Sequence, residues 1–298
     1  MANLRDVRMR MKSIGQTLQV TKAMNLISTS KLRKGRRLLQ NTEPYFNRIQ
    51  KTMSDILHNS GKVNSEYFKK EKKTVHTAIV VITSDRGLAG GYNANVFKHT
   101  LELCKTVEKP ILVLIGNVGQ RYFVNSPYMV LENFTFGGYV PTVDDAQILS
   151  EYIISQFDWG VFSEVHIVYT HMFSTIKLLP QDRQVLPLDE EKIRLKIQDT
   201  TPFSSESKDE DNKHFEYIPS AVEVFDHLAP LYIRGILYGC LVEAYASEQS
   251  ARMSAMDEAS RNGEDMLAAQ QLYYNRVRQS GITQEVTEIV SGSSALLG

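Results

Sequence analysis

Long helical patterns occupy both ends of this 298-residue chain. Apolar residues recur at alternating spacings of three and four, first from Leu4 to Leu18 and again from Leu32 to Ile56. This period gives a helix one apolar edge, which requires a partner helix. A helix over residues 3–57 would be about 80 Å long, whereas a compact single domain is about 30–40 Å across. The chain must therefore extend beyond one compact domain, and residues 219–290 supply a second long helix.

The two ends differ in charge, although the formal net charge of the whole chain is zero. Residues 1–40 carry ten Lys or Arg and one acid, whereas residues 243–298 carry four Arg and eight acids. Opposite charge favours pairing of the two ends with each other. The positions expected along the first apolar edge between Leu18 and Leu32 are small or polar: Thr21, Asn25 and Ser28. Such residues weaken packing but permit close helix approach.

Between the helical ends the pattern changes to alternating strands and helices. Buried strands are predicted at Val75–Thr83, Ile111–Ile115 and Glu164–Thr170, with a further extended piece near Met129–Phe136. Helices are predicted at 94–107, 118–124 and 144–157, and residues 180–218 are predicted to be extended or looped. Alternation of apolar strands with helices indicates a mainly parallel sheet covered on both faces.

The predicted domain organisation follows from these patterns. It consists of an N-terminal helix over residues 1–60, a Rossmann-like α/β domain over residues 74–218 and a C-terminal helix over residues 219–298. Pro44 falls inside the first helix, where proline removes a hydrogen bond. Because the apolar edge continues in register on both sides of it, we expect a kink there and not a stop.

Candidate chemical sites are few. The glycine-rich loop Ser84–Asn93 (SDRGLAGGYN) follows a strand, where doubly wound proteins often bind phosphate, but it matches neither GxGxxG nor GxxxxGK[ST]. A tight turn between strand and helix is the better explanation. Cys104 and Cys240 have no metal spacing, and no nucleophile, base and orienting group are arranged together. The sequence therefore predicts no catalytic residue, no metal site and no cofactor.

Two other functional classes stay open on the residues alone. One is a nucleotide-dependent α/β enzyme with helical extensions. The other is a coiled-coil adaptor that binds nucleic acid through residues 5–37, because Lys31–Arg37 has five positive charges in seven residues. The lack of aromatic residues in that run argues against stacking on single-stranded nucleic acid.

Four segments of the sequence resemble the gamma subunits of bacterial F-type ATP synthases. They are Met9–Lys34 (MRMKSIGQTLQVTKAMNLISTSKLRK), the terminal segments Ala246–Met256 (ASEQSARMSAM) and Tyr274–Gly292 (YNRVRQSGITQEVTEIVSG), and the central loop Ser84–Asn93. These segments lie at both ends and in the middle, so the resemblance covers the whole chain.

The resemblance implies a fold and a role. The terminal helices would form an antiparallel, left-handed coiled coil, the central stalk inside a ring of three alpha and three beta subunits. The α/β domain would contact the epsilon subunit and the c-ring. The chain itself would catalyse nothing, would bind no nucleic acid, and would be peripheral to the cytoplasmic side of the cell inner membrane.

The resemblance also assigns contacts to nine residues. Those facing the beta subunits would be Met24, Lys31, Arg33, Lys34, Arg278 and Gln279. Those seated in an apolar bearing at the top of the ring would be Ile282, Val286 and Ile289. Two departures from relatives matter: Ala89 stands where a cysteine is common, and the dithiol insertion of chloroplast relatives is absent. Redox control of that type is therefore not expected.

Overall fold

A computed structural model describes most of the chain: residues 4–60, 63–68, 76–137, 139–175, 177–195 and 217–297, with side chains of the last helix as far as residue 293. The chain divides into two compact units. The paired-helix unit comprises Met1–Thr29 and Arg252–Gly298, and the α/β unit comprises Ser30–Ala251. Two long helices each contribute residues to both units.

Six helices and five strands are present in the described residues. The helices are α1 (Leu4–Asn59), α2 (Tyr92–Thr106), α3 (Asn117–Phe123), α4 (Val143–Asp158), α5 (Glu190–Leu195) and α6 (Ala221–Leu297), with a short 3₁₀ turn at Glu66–Phe68. The strands are β1 (Thr77–Ile82), β2 (Pro110–Ile115), β3 (Met129–Phe134), β4 (Glu164–Met172) and β5 (Leu178–Leu186). The predicted fold class, long terminal helices with a mainly parallel α/β sheet, is confirmed.

The sheet belongs to the α/β unit and has the order β3-β2-β1-β4-β5. The first four strands run parallel, and β5 pairs antiparallel with β4 along the edge. The central strand β1 (TAIVVI) is buried along its whole length. Its neighbours therefore cover both faces, as the unbroken apolar run predicts.

Two apolar clusters cover the two faces of this sheet. Alternate residues of β1 divide between them, because successive side chains of a strand point to opposite faces. Ala78, Val80 and Ile82 belong to the larger cluster, which also contains residues of α1, α4 and α6. Ile79 and Val81 belong to the smaller cluster, which contains residues of α2 and α3. The parts of α1 and α6 that lie in the α/β unit are thus part of its core.

The predicted behaviour at Pro44 is borne out in one respect, since α1 continues through that residue without ending. The prediction for residues 180–218 was incomplete. It missed the edge strand β5, which begins at Leu178, and the short helix α5. The cap predicted at Gly61, the linker at residues 69–73 and the acidic loop at residues 204–213 lie outside the described residues. In the described part of the chain, no helix is both long enough and apolar enough to cross a bilayer.

Candidate functional site

The paired-helix unit is held together by a buried polar layer between α1 and α6. Ser260 Oγ lies 2.9 Å from Thr21 Oγ1 and donates to it, and both residues are buried. One turn along α1, Asn25 Nδ2 donates to the backbone oxygen of Met253 at 3.1 Å. Two of the three expected small polar positions of α1, Thr21 and Asn25, therefore bind the partner helix by hydrogen bonds, and the third, Ser28, is buried.

Leu18 of α1 packs beside Gly263 of α6. A Cβ built at this glycine would lie 3.4 Å from Leu18 Cδ1, which is ordinary van der Waals contact. On the outer side of the pair, Lys22 Nζ lies 2.6 Å from Glu264 Oε1, with both side chains about half exposed. Exposed ion pairs of this kind contribute only about 0–1 kcal/mol. The opposite charges of the two ends thus meet in the pair, but packing and hydrogen bonds dominate its stability.

The register of the pair shows where it ends. In an antiparallel helix pair, a step towards the start of one helix corresponds to an equal step towards the end of the other. Leu18 lies three residues before Thr21, and Gly263 lies three residues after Ser260, so both contacts belong to one antiparallel register. At that register Leu4, the first described residue of α1, falls opposite Val277. The last part of α6 therefore extends past the described end of its partner.

This unpaired end of α6 carries five of the nine predicted contact residues. Arg278 and Gln279 are exposed, and so is every residue from Ile282 to Ser293. Ile282 and Val286 are each 53% exposed and Ile289 is 71% exposed. Their spacings of four and three place them on one side of the helix. They form an apolar stripe that no other described residue of this unit covers.

The other predicted contact residues lie elsewhere. Met24 is half-buried in the paired-helix unit. At the register above it lies opposite Asp257, so about 30 Å of helix separates it from Arg278. Lys31, Arg33 and Lys34 belong to the α/β unit, where Arg33 and Lys34 are exposed. None of these three cations forms an ion pair with another described residue.

The glycine-rich loop after β1 is closed by its own side chains. Asn93 Oδ1 accepts from Ser84 N at 3.0 Å, and Asn93 Nδ2 donates to Ser84 Oγ at 2.7 Å. Asp85 Oδ1 accepts from the backbone and side-chain nitrogens of Asn117, both at 3.2 Å, at the start of α3. The Asp85 carboxylate therefore occupies the N-terminus of the neighbouring helix α3 and, together with the Ser84–Asn93 pair, fixes the loop in place. This geometry favours the structural interpretation of the loop over nucleotide binding.

Close backbone packing beside this loop explains two further glycines. Gly116 has φ +95°, and a Cβ there would lie 2.3 Å from Thr83 O. A Cβ on Gly119 would lie 2.6 Å from Thr83 Oγ1. That hydroxyl accepts from Gly119 N at 3.0 Å and donates to Ile115 O at 2.8 Å. The turn is thus tied to two strands and a helix, and the cavity beside it, which Thr83, Asp85 and Gly116 help to line, has a volume of only about 60 Å³.

Three histidines of the described residues, His99, His166 and His171, lie beside carboxylates. His99 Nε2 lies 3.0 Å from Asp182 Oδ1, and His171 Nδ1 is in close contact with Glu243 Oε1. Burial raises the pKa of the Glu243 carboxyl, and the neighbouring His171 opposes that shift. Within the described part of the chain, no group of three His, Cys, Asp or Glu side chains could hold a metal ion.

Sequence reasoning missed two features of the helix pair. It did not identify the Lys22–Glu264 ion pair, although the opposite charges of the two ends were a signal for pairs of this type. It also placed Thr21 on the apolar edge of the first helix without predicting that Thr21 binds Ser260. That partnership depends on the register, and the sequence of either helix alone does not specify it.

Comparison with known proteins identifies close relatives. A sequence family described as ATP synthase matches residues 3–296. The chain is 43% identical over 298 residues to the ATP synthase gamma chain of Acetivibrio thermocellus, which covers 99% of this chain and 100% of the relative. It is 35% identical over 299 residues to the sodium ion specific ATP synthase gamma chain of Acetobacterium woodii, covering 99% of each chain.

Solved structures agree with the fold. A chain of the Euglena gracilis mitochondrial ATP synthase has a TM-score of 0.65 at 15% identity, covering 98% of this chain and 94% of its own length. A chain from the central stalk and c-ring of the Tetrahymena thermophila mitochondrial ATP synthase has a TM-score of 0.58 at 23% identity, covering 81% and 99% respectively. At these identities the likeness concerns the fold.

Proposed function

This chain belongs to the ATP synthase gamma family, and on that premise we propose that its two long helices transmit rotation to the subunits that hold the catalytic sites. It is a stalk subunit of ATP synthase and not the catalytic subunit. Ion flow turns a membrane ring, the stalk turns with the ring, and the catalytic sites change conformation in turn. The stalk can favour one conformation of a neighbour only through contacts that differ between angular positions.

The observation that carries this proposal is the unpaired end of α6. Its apolar stripe, Ile282, Val286 and Ile289, is exposed to solvent. An apolar helix face left in water is unfavourable unless a partner covers it. The ring of three alpha and three beta subunits supplies that partner, as an apolar bearing that holds the tip of α6 without charged contacts that would stop it at one angle.

Arg278 and Gln279 are the residues of this end that we assign to a catch loop of the beta subunit. Both are exposed, and both can donate hydrogen bonds to a neighbouring subunit. Alanine at both positions should lower ATP synthesis and ATP hydrolysis by the assembled complex by roughly fivefold or more, because a coupling of about 1–3 kcal/mol between stalk and site is lost. Unchanged rates in both directions would contradict this role.

Arg276 provides the matched control for that experiment. It is an exposed arginine of the same helix, two positions before Arg278. Arg276→Ala removes the same charge and the same side-chain length at a position that we do not assign to the catch loop. If Arg276→Ala lowers the synthesis and hydrolysis rates as much as the double alanine variant does, the loss of rate is caused by the lower positive charge of this helix and not by the loss of specific contacts of Arg278 and Gln279.

The second set of beta contacts is Met24 with the basic residues Lys31, Arg33 and Lys34. The three cations lack ion-pair partners among the described residues, which favours an acidic partner in another subunit. We propose that they face acidic lever loops of beta. Glutamine at the three basic positions should weaken the salt dependence of coupling, measured as the ATP hydrolysis rate from low to high ionic strength. An unaltered salt dependence would remove these residues from the interface.

Membership of the gamma family also suggests which other subunits the chain contacts and where in the cell it lies. We propose contacts between the α/β unit and both the epsilon subunit and the c-ring, at the cytoplasmic side of the cell inner membrane. A tagged chain expressed in its own host should recover alpha, beta, epsilon and c subunits from a detergent extract of membranes. Recovery of nucleic acid in place of these subunits would favour the adaptor alternative.

A further inference from the structure

The α/β unit contains a cavity of about 330 Å³ between three parts of the chain. Residues 39–50 of α1 form one wall and residues 232–243 of α6 form another, while Tyr169 of β4 and Arg183 of β5 close the third side. Its volume lies in the range of small-molecule sites. None of the contacts assigned above uses it.

The polar groups of this cavity have hydrogen-bond donors to spare. Gln50 Nε2 is buried and has no hydrogen-bond partner among the described residues. Tyr169 Oη already accepts from Gln181 Nε2 at 2.5 Å, so its own proton is available to donate. Burial raises the pKa of the phenols of Tyr169 and Tyr232, so both stay neutral donors. A buried donor without an acceptor is costly, and a ligand that brings an acceptor removes that cost.

Arg183 supplies a positive charge at the same place. It is half-buried and hydrogen-bonded to the Tyr232 side chain, and it makes no ion pair with any described carboxylate. The two acids that line the cavity do not replace such a partner. Glu243 is engaged by His171 and by the backbone nitrogen of Met172, and Glu43 is exposed to solvent. Arg183 is the one cation among the described residues that line the cavity, and its charge also acts on the Glu243 carboxyl, whose pKa it lowers against the effect of burial.

The other surfaces of the cavity consist of apolar side chains and of helix backbone at glycines. Leu39, Phe46 and Ile236 provide apolar surface, and Gly235 and Gly239 expose the backbone of α6. We propose that this cavity is a binding site for a small amphipathic anion, a ring-bearing carboxylate whose charged group meets Arg183 and Gln50 while its ring lies against the apolar wall. This site uses none of the nine residues that we assign to contacts with the beta subunits or the bearing.

A pair of matched ligands tests the charge requirement. We suggest 2-naphthoate and its neutral analogue 2-naphthamide, titrated against the full-length chain by saturation-transfer NMR. Because hydrogen bonds to charged groups are the stronger ones, Arg183→Gln should weaken 2-naphthoate roughly tenfold to hundredfold and leave 2-naphthamide unchanged. Gln50→Met should weaken 2-naphthoate several-fold, and it provides a second test if the arginine variant fails to fold.

Two glycines of α6 test the location. A Cβ at Gly239 meets nothing within 4 Å, so Gly239→Leu extends into the cavity without a clash and should abolish binding of both ligands. A Cβ at Gly281 also meets nothing within 4 Å, but Gly281 does not line the cavity, so Gly281→Leu should bind as the original chain does. Far-UV circular dichroism confirms the fold of each variant.

Three results would overturn the proposal. If the original chain gives no saturation transfer to 2-naphthoate, the cavity holds only water. If folded Gly239→Leu still binds 2-naphthoate, the ligand occupies another place. If folded Arg183→Gln or Gln50→Met binds 2-naphthoate with unchanged affinity, the assigned donors do not hold the anion.

Discussion

Gly235 of α6 should be intolerant of even one added carbon atom, although glycine is normally a poor helix residue. Replacing a helical glycine by alanine usually stabilises a protein by about 0.5–1 kcal/mol. At Gly235, however, the new Cβ would lie 2.1 Å from Phe46 Cδ1, 2.6 Å from Cε1 and 2.9 Å from Cγ. Non-bonded carbon atoms prefer separations of about 3.5–4.0 Å, so the ring or the helix must move by more than an ångström.

The Phe46 ring is constrained by its neighbours. It packs edge-on against Tyr45 with ring centroids 5.2 Å apart, and in a tilted arrangement against Tyr238 with ring centroids 6.1 Å apart. Overpacking of this kind costs about 1–3 kcal/mol. Gly235→Ala should therefore be less stable than Gly239→Ala by about 1–3 kcal/mol, because both variants share the same gain in helix propensity and only the first meets the ring.

Urea unfolding followed by circular dichroism at the helical band measures this difference, as a shift of midpoint at equal slope. The Phe46→Ala background is the control, because the two alanine variants should become equally stable once the ring is absent. The reasoning fails if Gly235→Ala and Gly239→Ala are equally stable with Phe46 in place. It also fails if their difference persists after Phe46 is removed.

Three further predictions concern other parts of the chain. Thr21→Val removes the hydroxyl that binds Ser260 and should lower the free energy of unfolding by about 0.5–1.5 kcal/mol; a double-mutant cycle with Ser260→Ala that shows no coupling would refute a direct bond. Thr142→Ala breaks the capping box of α4, in which Thr142 and Asp145 bind each other's backbone, and should cost about 0.5–2 kcal/mol by urea unfolding, so an unchanged midpoint would exclude the cap as a stabilising element. Burial raises the pKa of the Cys104 thiol from 9.0 to about 11, which lowers its thiolate fraction near pH 8 by about a hundredfold. Iodoacetamide should then modify Cys104 at least about a hundredfold more slowly than a small free thiol, as followed by mass spectrometry of its peptide, and a comparable rate would show that the folded unit does not protect it.

The strands that could be predicted from sequence are those with unbroken apolar runs. β1, β2 and β4 are central or next to the centre of the sheet. Because such strands are buried on both faces, their sequences are rich in Val, Ile and Leu. β5 (LLPQDRQVL) was missed because it lies on the edge and its middle residues, Pro180–Gln184, are mostly polar and are half-buried or exposed. Its pairing with β4 depends on tertiary context and not on its own composition.

The candidate sites also differ in how far the sequence predicts them, because some depend on local spacing and others on tertiary contacts. The spacing of Ile282, Val286 and Ile289 predicts one helix face from sequence alone, and their contact with a bearing stays a prediction. The cavity could not be anticipated, because Gln50, Arg183 and Glu243 are more than fifty residues apart in sequence and meet only after folding. The helix register was likewise hidden, since an apolar edge with a seven-residue period fits a partner at several positions that differ by one repeat.

The end of the antiparallel register near Val277 separates the part of α6 that pairs with α1 from the part that sets how far α6 reaches. By that register the residues that face α1 lie before this point, and beyond it every residue from Ile282 to Ser293 is exposed. Turns can therefore be added to or deleted from the tip without changing any contact of the helix pair, and each turn alters its reach by about 5.4 Å. Over evolution, the depth to which such a helix penetrates its surroundings can vary while the joint between the two helices stays constant.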